Sequence, residues 1–182
     1  MRAPRTKQVG FSMVELLAVM VVLGLIAGVA AVSWQASIPR AQMNSSVREL
    51  SDILHGARAD AIARNLEYKI QYDIDNNSYW VETPFSIEGG LAYGDEERAI
   101  AFESQLKESV AFNKITVDGE EYFDGIVHVR FDPLGASSDH TVVLHQEIFD
   151  RYFTVEVLAL TGLVRFHDDF FEREEASDGD FD

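Results

Sequence analysis

No cysteine occurs among the 182 residues, which removes disulfides and thiolate metal sites and leaves any folded part to be held by its apolar core. Proline is scarce, with four in the chain, and so is positive charge: 15 Lys and Arg stand against 31 Asp and Glu, a net charge of −16. Three of those positives, Arg2, Arg5 and Lys7, sit in the first ten residues, so the remainder carries 12 basic residues against the same 31 acids. That balance argues against partners bound by phosphate neutralisation, because affinity for nucleic acid rests on Lys and Arg contacts. No nucleotide-binding glycine loop and no Gly-x-Ser-x-Gly elbow is present, and nothing in the pattern points to an enzyme. The five histidines, His55, His128, His140, His145 and His167, lack the spacing of a metalloprotease or finger site. His128 and His145 are the pair that neighbouring strands could bring together, yet satisfied or exposed rings are the expectation. Asp73-Ile74-Asp75-Asn76-Asn77 imitates the opening of a calcium loop, but its sixth position is Ser78 where glycine is required and its twelfth is Pro84 where a bidentate glutamate is required. A turn is expected there, and neither a metal nor another cofactor.

Charge is missing from one further place. From Phe11 to Ile38 the only charged residue is Glu15. Leu16 to Ile38 covers 23 residues, about 34 Å as a helix, against a hydrocarbon core of about 30 Å. The run can span a bilayer, and the basic leader sets its start on the cytoplasmic side. A carboxylate inside such a run costs about 2.5–3.5 kcal/mol on insertion scales, so it has a partner, has a function, or snorkels to the headgroups from its place near the end. An ordinary signal peptide cut near Ala30-Ala31 is the competing reading; an apolar region this long with an internal glutamate is unusual for one. Gly24 and Gly28 form a small-xxx-small pair that permits close helix packing.

The stretch Gly10-Phe11-Ser12-Met13-Val14-Glu15 and the apolar residues through Ala27 resemble the processing and assembly segment of type IV pilins and type II secretion pseudopilins. The resemblance implies cleavage by a prepilin peptidase between Gly10 and Phe11, N-methylation of Phe11, and a docking role for Glu15. It also implies that the new amine of Phe11 supplies a positive charge one turn from that carboxylate. The chain departs from many relatives in having Val32 where they have a mid-helix proline; its first proline after the leader is Pro39.

Beyond Pro39 the pattern is amphipathic. Val47, Leu50, Leu54, Ala57 and Ala61 recur at three and four while Arg48, Glu49, Asp52, Arg58 and Asp60 take other faces, which predicts a helix to about Asn65 lying on a core. From Leu66 the period becomes two. Tyr68, Ile70, Tyr72 and Ile74 alternate with polar residues, and Asp75-Asn76-Asn77 precedes a second strand over Ser78 to Thr83, which predicts a hairpin. Further strands are expected at Ser109–Val117, Ile126–Phe131, Thr141–Gln146, Tyr152–Leu158 and Leu163–His167. Residues 84–108 read as a variable insertion with a possible helix over Ala99–Glu108.

One long helix followed by short strands indicates an α+β fold, a long N-terminal helix packed on an antiparallel β-rich domain. The segments Ala57-Arg58-Ala59-Asp60-Ala61-Ile62-Ala63-Arg64-Asn65, Phe131-Asp132-Pro133-Leu134-Gly135 and Leu160-Thr161-Gly162-Leu163-Val164 resemble the GspH/FimT group of minor pseudopilins and pilins, although each also suits a bland role as solvated charge or turn. The organisation expected is a leader at 1–10, a transmembrane assembly helix at 11–38, an amphipathic continuation at 39–65, a pilin-like β domain at 66–167 and an acidic mobile tail at 168–182. The resemblance implies a structural subunit of a secretion pseudopilus or a pilus, anchored in the bacterial inner membrane with its domain in the periplasm. Its implied partners are other pilins or pseudopilins, the prepilin peptidase, the inner-membrane assembly platform and membrane lipid, with no nucleic acid. The rival of another class is a membrane-anchored enzyme or binding domain with a pilin-like signal.

Overall fold

The structure, a computed structural model, describes residues 12–172, with the side chains of residues 29–38 also outside the described set. Two compact units divide at Arg40 and Ala41. Helix α1, Met13–Arg64, contributes to both, and Pro39 lies inside it without ending it. In the first unit every described residue of the chain from Ser12 to Gly28 is exposed.

In the second unit α1 buries the expected stripe. Leu50, Leu54 and Ala61 are fully buried and Met43, Val47 and Ala57 nearly so, while Arg48 and Asp52 face water. The helix stops where Asn65 turns left-handed at φ 54°, a conformation that asparagine tolerates. The Leu66 N–H then reaches back to the Ala61 carbonyl at 3.2 Å, the long bond of a Schellman ending.

Nine strands follow: β1 Tyr68–Asp73, β2 Ser78–Ser86, β3 Arg98–Gln105, β4 Ala111–Val117, β5 Glu120–Tyr122, β6 Ile126–Phe131, β7 His140–Gln146, β8 Arg151–Val157 and β9 Val164–His167. They form two antiparallel sheets, one in the order β3-β2-β1-β6 and the other β5-β4-β7-β8-β9. The α+β expectation holds. Ile70, Tyr72, Val129 and Phe131 of the first sheet join Ile115, Val142, Leu144 and Val155 of the second and the helix stripe in one core. The β1–β2 hairpin closes through Asp73, whose carboxylate accepts the Asn76 backbone N–H at 2.9 Å and side-chain N–H at 2.8 Å. These two bonds hold its carboxyl below the usual value, and the calcium-like sequence is a turn.

Three expectations need correction. The helix expected over Ala99–Glu108 is strand β3, paired with β2 through register shifts on either side of Glu82; Ile100 and Phe102 gain a sheet neighbour that local helix propensity does not anticipate. His128 and His145 are not neighbours: His128 lies opposite Gln71 in the first sheet and His145 opposite Tyr152 in the second. The tail, expected to be mobile from 168, is docked as far as Glu172. Thr154 Oγ1 donates to the Asp169 carbonyl at 2.9 Å and accepts the Phe171 N–H at 3.1 Å, and the Phe171 ring stacks on His167 at 3.8 Å. Lys114, buried, binds the carboxylates of Glu121 and Glu172 with Phe170 5.2 Å away. Desolvation works against its charge, but the two carboxylates outweigh that and raise its pKa. Residues 168–172 thus form a strap over polar side chains of β4 and β8. Residues 173–182 lie outside the described residues.

Candidate functional site at the N-terminal junction and the helix end

Ser12 caps α1. Its Oγ accepts the Glu15 N–H at 3.2 Å, and its carbonyl accepts those of Glu15 and Leu16 at 3.1 and 3.2 Å. Ser12-Met13-Val14-Glu15 has the spacing of a capping box, a second meaning for residues singled out only as a processing motif. Glu15 falls in the first turn, where its charge complements the positive end of the helix dipole, and its side chain is exposed. Gly10 and Phe11 lie outside the described residues. Leu17 and Ile26 are 62% and 60% exposed on a helix apolar all round, the condition of a helix that packs on other surroundings than water. Among the described residues no helix is long and apolar enough to cross a membrane; the expected span Leu16–Ile38 runs through residues 29–38, whose side chains lie outside them.

At the other end of α1, three segments distant in sequence meet. Arg58 Nε donates to the Gly135 carbonyl at 3.0 Å across 77 residues. Gly135 sits at φ +84° between β6 and β7, in a turn where Asp132 Oδ1 accepts the N–H groups of Leu134 and Ala136 at 2.8 and 2.9 Å. Gly162, between β8 and β9 at φ +59°, closes over the same point: a Cβ there would lie 2.3 Å from the Gly135 carbonyl oxygen and 2.8 Å from Arg58 Nε. Only glycine fits. Arg58, Gly135 and Gly162 therefore clasp the helix end to the β6–β7 and β8–β9 connections. The sequence displayed all three segments but no reason for their pairing. Arg64, one helix end residue further, lies over the Phe85 ring at 5.4 Å. Ile62, Leu134, Leu160 and Leu163 near these positions in sequence are exposed.

His140 is the buried histidine. Its Nδ1 faces the Ser138 carbonyl at 2.9 Å and its Nε2 the Tyr72 hydroxyl at 3.3 Å, which assigns the proton to Nδ1 and makes Nε2 the acceptor. Burial pushes its pKa down to about 4 and that of Tyr72 well above the ordinary phenol value. The pair ties β7 of one sheet to β1 of the other. His55 meets Ser51, His145 meets Asp150 and His167 meets Glu156 at 3.1–3.3 Å. Beside His140 a cavity of about 550 Å³ is lined by Asp118, Glu121, Asp139 and Glu172 among others. Among the described residues no group of three or more His, Asp and Glu is placed to hold a metal ion.

Residues 5–31 match the family described as the prokaryotic N-terminal methylation motif. No curated protein matches the sequence. In fold the chain is similar to the minor pseudopilin EpsH from the type II secretion system of Vibrio cholerae, at 13% identity and a TM-score of 0.51 over 73% of this chain and 98% of that one. It is likewise similar to the type IV minor pilin FimU of Pseudomonas aeruginosa PAO1, at 17% identity and a TM-score of 0.50 over 70% of this chain and 90% of that one. The chain carries a prokaryotic N-terminal methylation motif ahead of a domain with the pilin-like fold of minor pseudopilins and minor pilins.

Proposed function

We propose that this protein is a minor pseudopilin of a type II secretion system, a GspH/FimT-like structural subunit that assembles into a short periplasmic fibre. The observation that carries the reading is the methylation motif at residues 5–31 running directly into a helix whose far end is clasped into a pilin-like domain. The precursor sits in the inner membrane with its domain in the periplasm. Prepilin peptidase cuts between Gly10 and Phe11, Phe11 is methylated, and the assembly platform draws the apolar helix from lipid into contact with other subunits. Glu15 docks against the amine of Phe11 on a neighbour. Loss of either charge leaves the other uncompensated in a low-dielectric setting, at a cost of several kcal/mol.

A minor type IV pilin is the second reading, favoured by the FimU-like fold at an almost equal TM-score. Within it the acidic composition argues against DNA uptake.

Mass spectrometry of the mature N-terminus from native membranes tests the core of the reading, with a chain starting at methylated Phe11 as the expected result and a start near Val32 as the result that removes it. Glu15→Leu separates docking from anchoring: processed protein should accumulate while crosslinks to fibre partners disappear. Loss of export without loss of piliation assigns the secretion system, and the reverse assigns the pilus.

A further inference from the structure

The two sheets end in four edge strands, β3 and β6 of one and β5 and β9 of the other, and three of these edges are guarded. β3 pairs with β2 through register shifts on either side of Glu82, and irregularities of this kind turn an edge away from partners. β6 is covered at one end by its own chain, where the Arg130 carbonyl accepts the Ser138 N–H at 3.2 Å. β5 is three residues long and carries Glu120 and Glu121. β9, four residues long, has no proline or lysine, and its pairing with β8 runs without a shift from Val157–Val164 to Thr154–His167.

Just before β9 the Leu158 N–H donates to the Leu163 carbonyl at 3.0 Å. In an antiparallel pair alternate residues bond to the same neighbour, so Arg165 and His167 also turn to β8. Val164 and Phe166 turn their N–H and C=O groups the other way, where no strand among the described residues lies. The Val164 side chain packs against the core, and the Phe166 ring, on the same side of the sheet, lies tilted on Phe153 at 6.3 Å. Phe166 is still 47% exposed, because the sheet ends beside it. At its start β9 runs into the clasp, where Ile62, Leu134, Leu160 and Leu163 are exposed. Open apolar surface grouped in this way marks an interaction site.

The other face of this edge carries Arg165, exposed and without an ion pair among the described residues; its cross-strand neighbour Glu156 pairs with His167 at 3.2 Å. A second copy fits poorly. The register that sets Val164 against Phe166 of another copy places Arg165 opposite Arg165, and like charges there repel, as do two chains of −16. We propose that β9 is the docking edge for an extended segment of a different protein, which adds as a further strand, covers Phe166 with an apolar side chain and sets a carboxylate against Arg165. Main-chain bonds to Val164 and Phe166 supply affinity, and alternate side chains supply selectivity. The exposed leucines at the clasp extend the contact beyond the strand.

Hydrogen exchange resolved to single amides, on the full chain in detergent, tests this with a synthetic peptide of alternating valine and glutamate. With the peptide at about four times its dissociation constant, the Val164 and Phe166 amides should exchange about fivefold more slowly. The Arg165 amide, already turned to β8, should not change. A peptide of alternating valine and lysine should give no protection, and Arg165→Gln should erase the difference between the two peptides. No protection by the glutamate peptide, equal protection by both in the parent chain, or an Arg165→Gln variant that still tells them apart each overturns the proposal. So does slow exchange of Val164 and Phe166 before any peptide is added, which means that the edge is already filled, by this chain or, where the protection fades on dilution, by a second copy.

Discussion

The two ends of α1 obey different rules within one helix. From Leu16 to Gly28 the residues are apolar on every side, and all of them are exposed in the single subunit. From Ala41 to Arg64 a single apolar stripe is buried while the other faces are mostly polar or charged. Water tolerates the second pattern and not the first, so the early turns are built for lipid or for other helices and the later turns for this domain's own core. Helical hydrogen bonding is the same in both. What differs is where each stretch obtains its burial.

The largest effect that sharpens this contrast is truncation of one leucine in each stretch. Leu54→Ala should destabilise the domain by about 2–5 kcal/mol, the range for a fully buried leucine, measured by urea unfolding of residues 41–182. In the full chain Leu17→Ala should leave the domain's unfolding midpoint unchanged and act only on anchoring or assembly. A shift at Leu17 comparable to that at Leu54 would break the comparison.

Next comes the clasp. Gly162→Ala combines a left-handed backbone, about 1–2 kcal/mol, with crowding against a carbonyl and Arg58, so a loss of about 2–4 kcal/mol is expected. Gly56→Ala is the matched control, since an added Cβ there meets nothing within 4 Å and the helix interior should gain about 0.5–1 kcal/mol. Opposite signs for the two glycines in unfolding midpoints are the expected outcome.

His140 supplies a pH dependence confined to the domain. Its folded pKa, lowered to about 4 from 6.5, means the unfolded chain takes up the proton first as pH falls. The contribution is fully present above about pH 6.5 and is lost progressively toward pH 4, amounting to about 3 kcal/mol. Stability measured against pH should fall less steeply across this window in His140→Leu, whatever its starting stability. An identical slope would show that the ring titrates freely.

The smallest effect concerns the strap. Thr154→Val removes two hydrogen bonds to residues 169 and 171, about 1–2 kcal/mol at most, and should speed exchange of the amide of Phe171 while leaving β1 amides protected.

The sequence by itself determined the elements whose chemistry is local. Residues 11–38 form a long, mostly apolar run with Glu15 as its one charge without regard to any fold, the 47–61 stripe repeats at helical spacing, and Asn and Asp-Gly turn residues punctuate β1, β2, β4 and β6. Each of these follows from propensity and burial along one segment. Tertiary structure alone decided the rest. β3 is a strand because β2 offers an edge. The strap is ordered because Lys114 and Thr154, in two different strands, present partners to it, and His140 is buried because Tyr72 arrives from the other sheet. The clasp shows the division most plainly. Arg58, Gly135 and Gly162 are each unremarkable in their own segments, and the requirement for glycine exists only where a carbonyl and a guanidinium, brought there by the long helix and two loops, leave no room for a side-chain carbon.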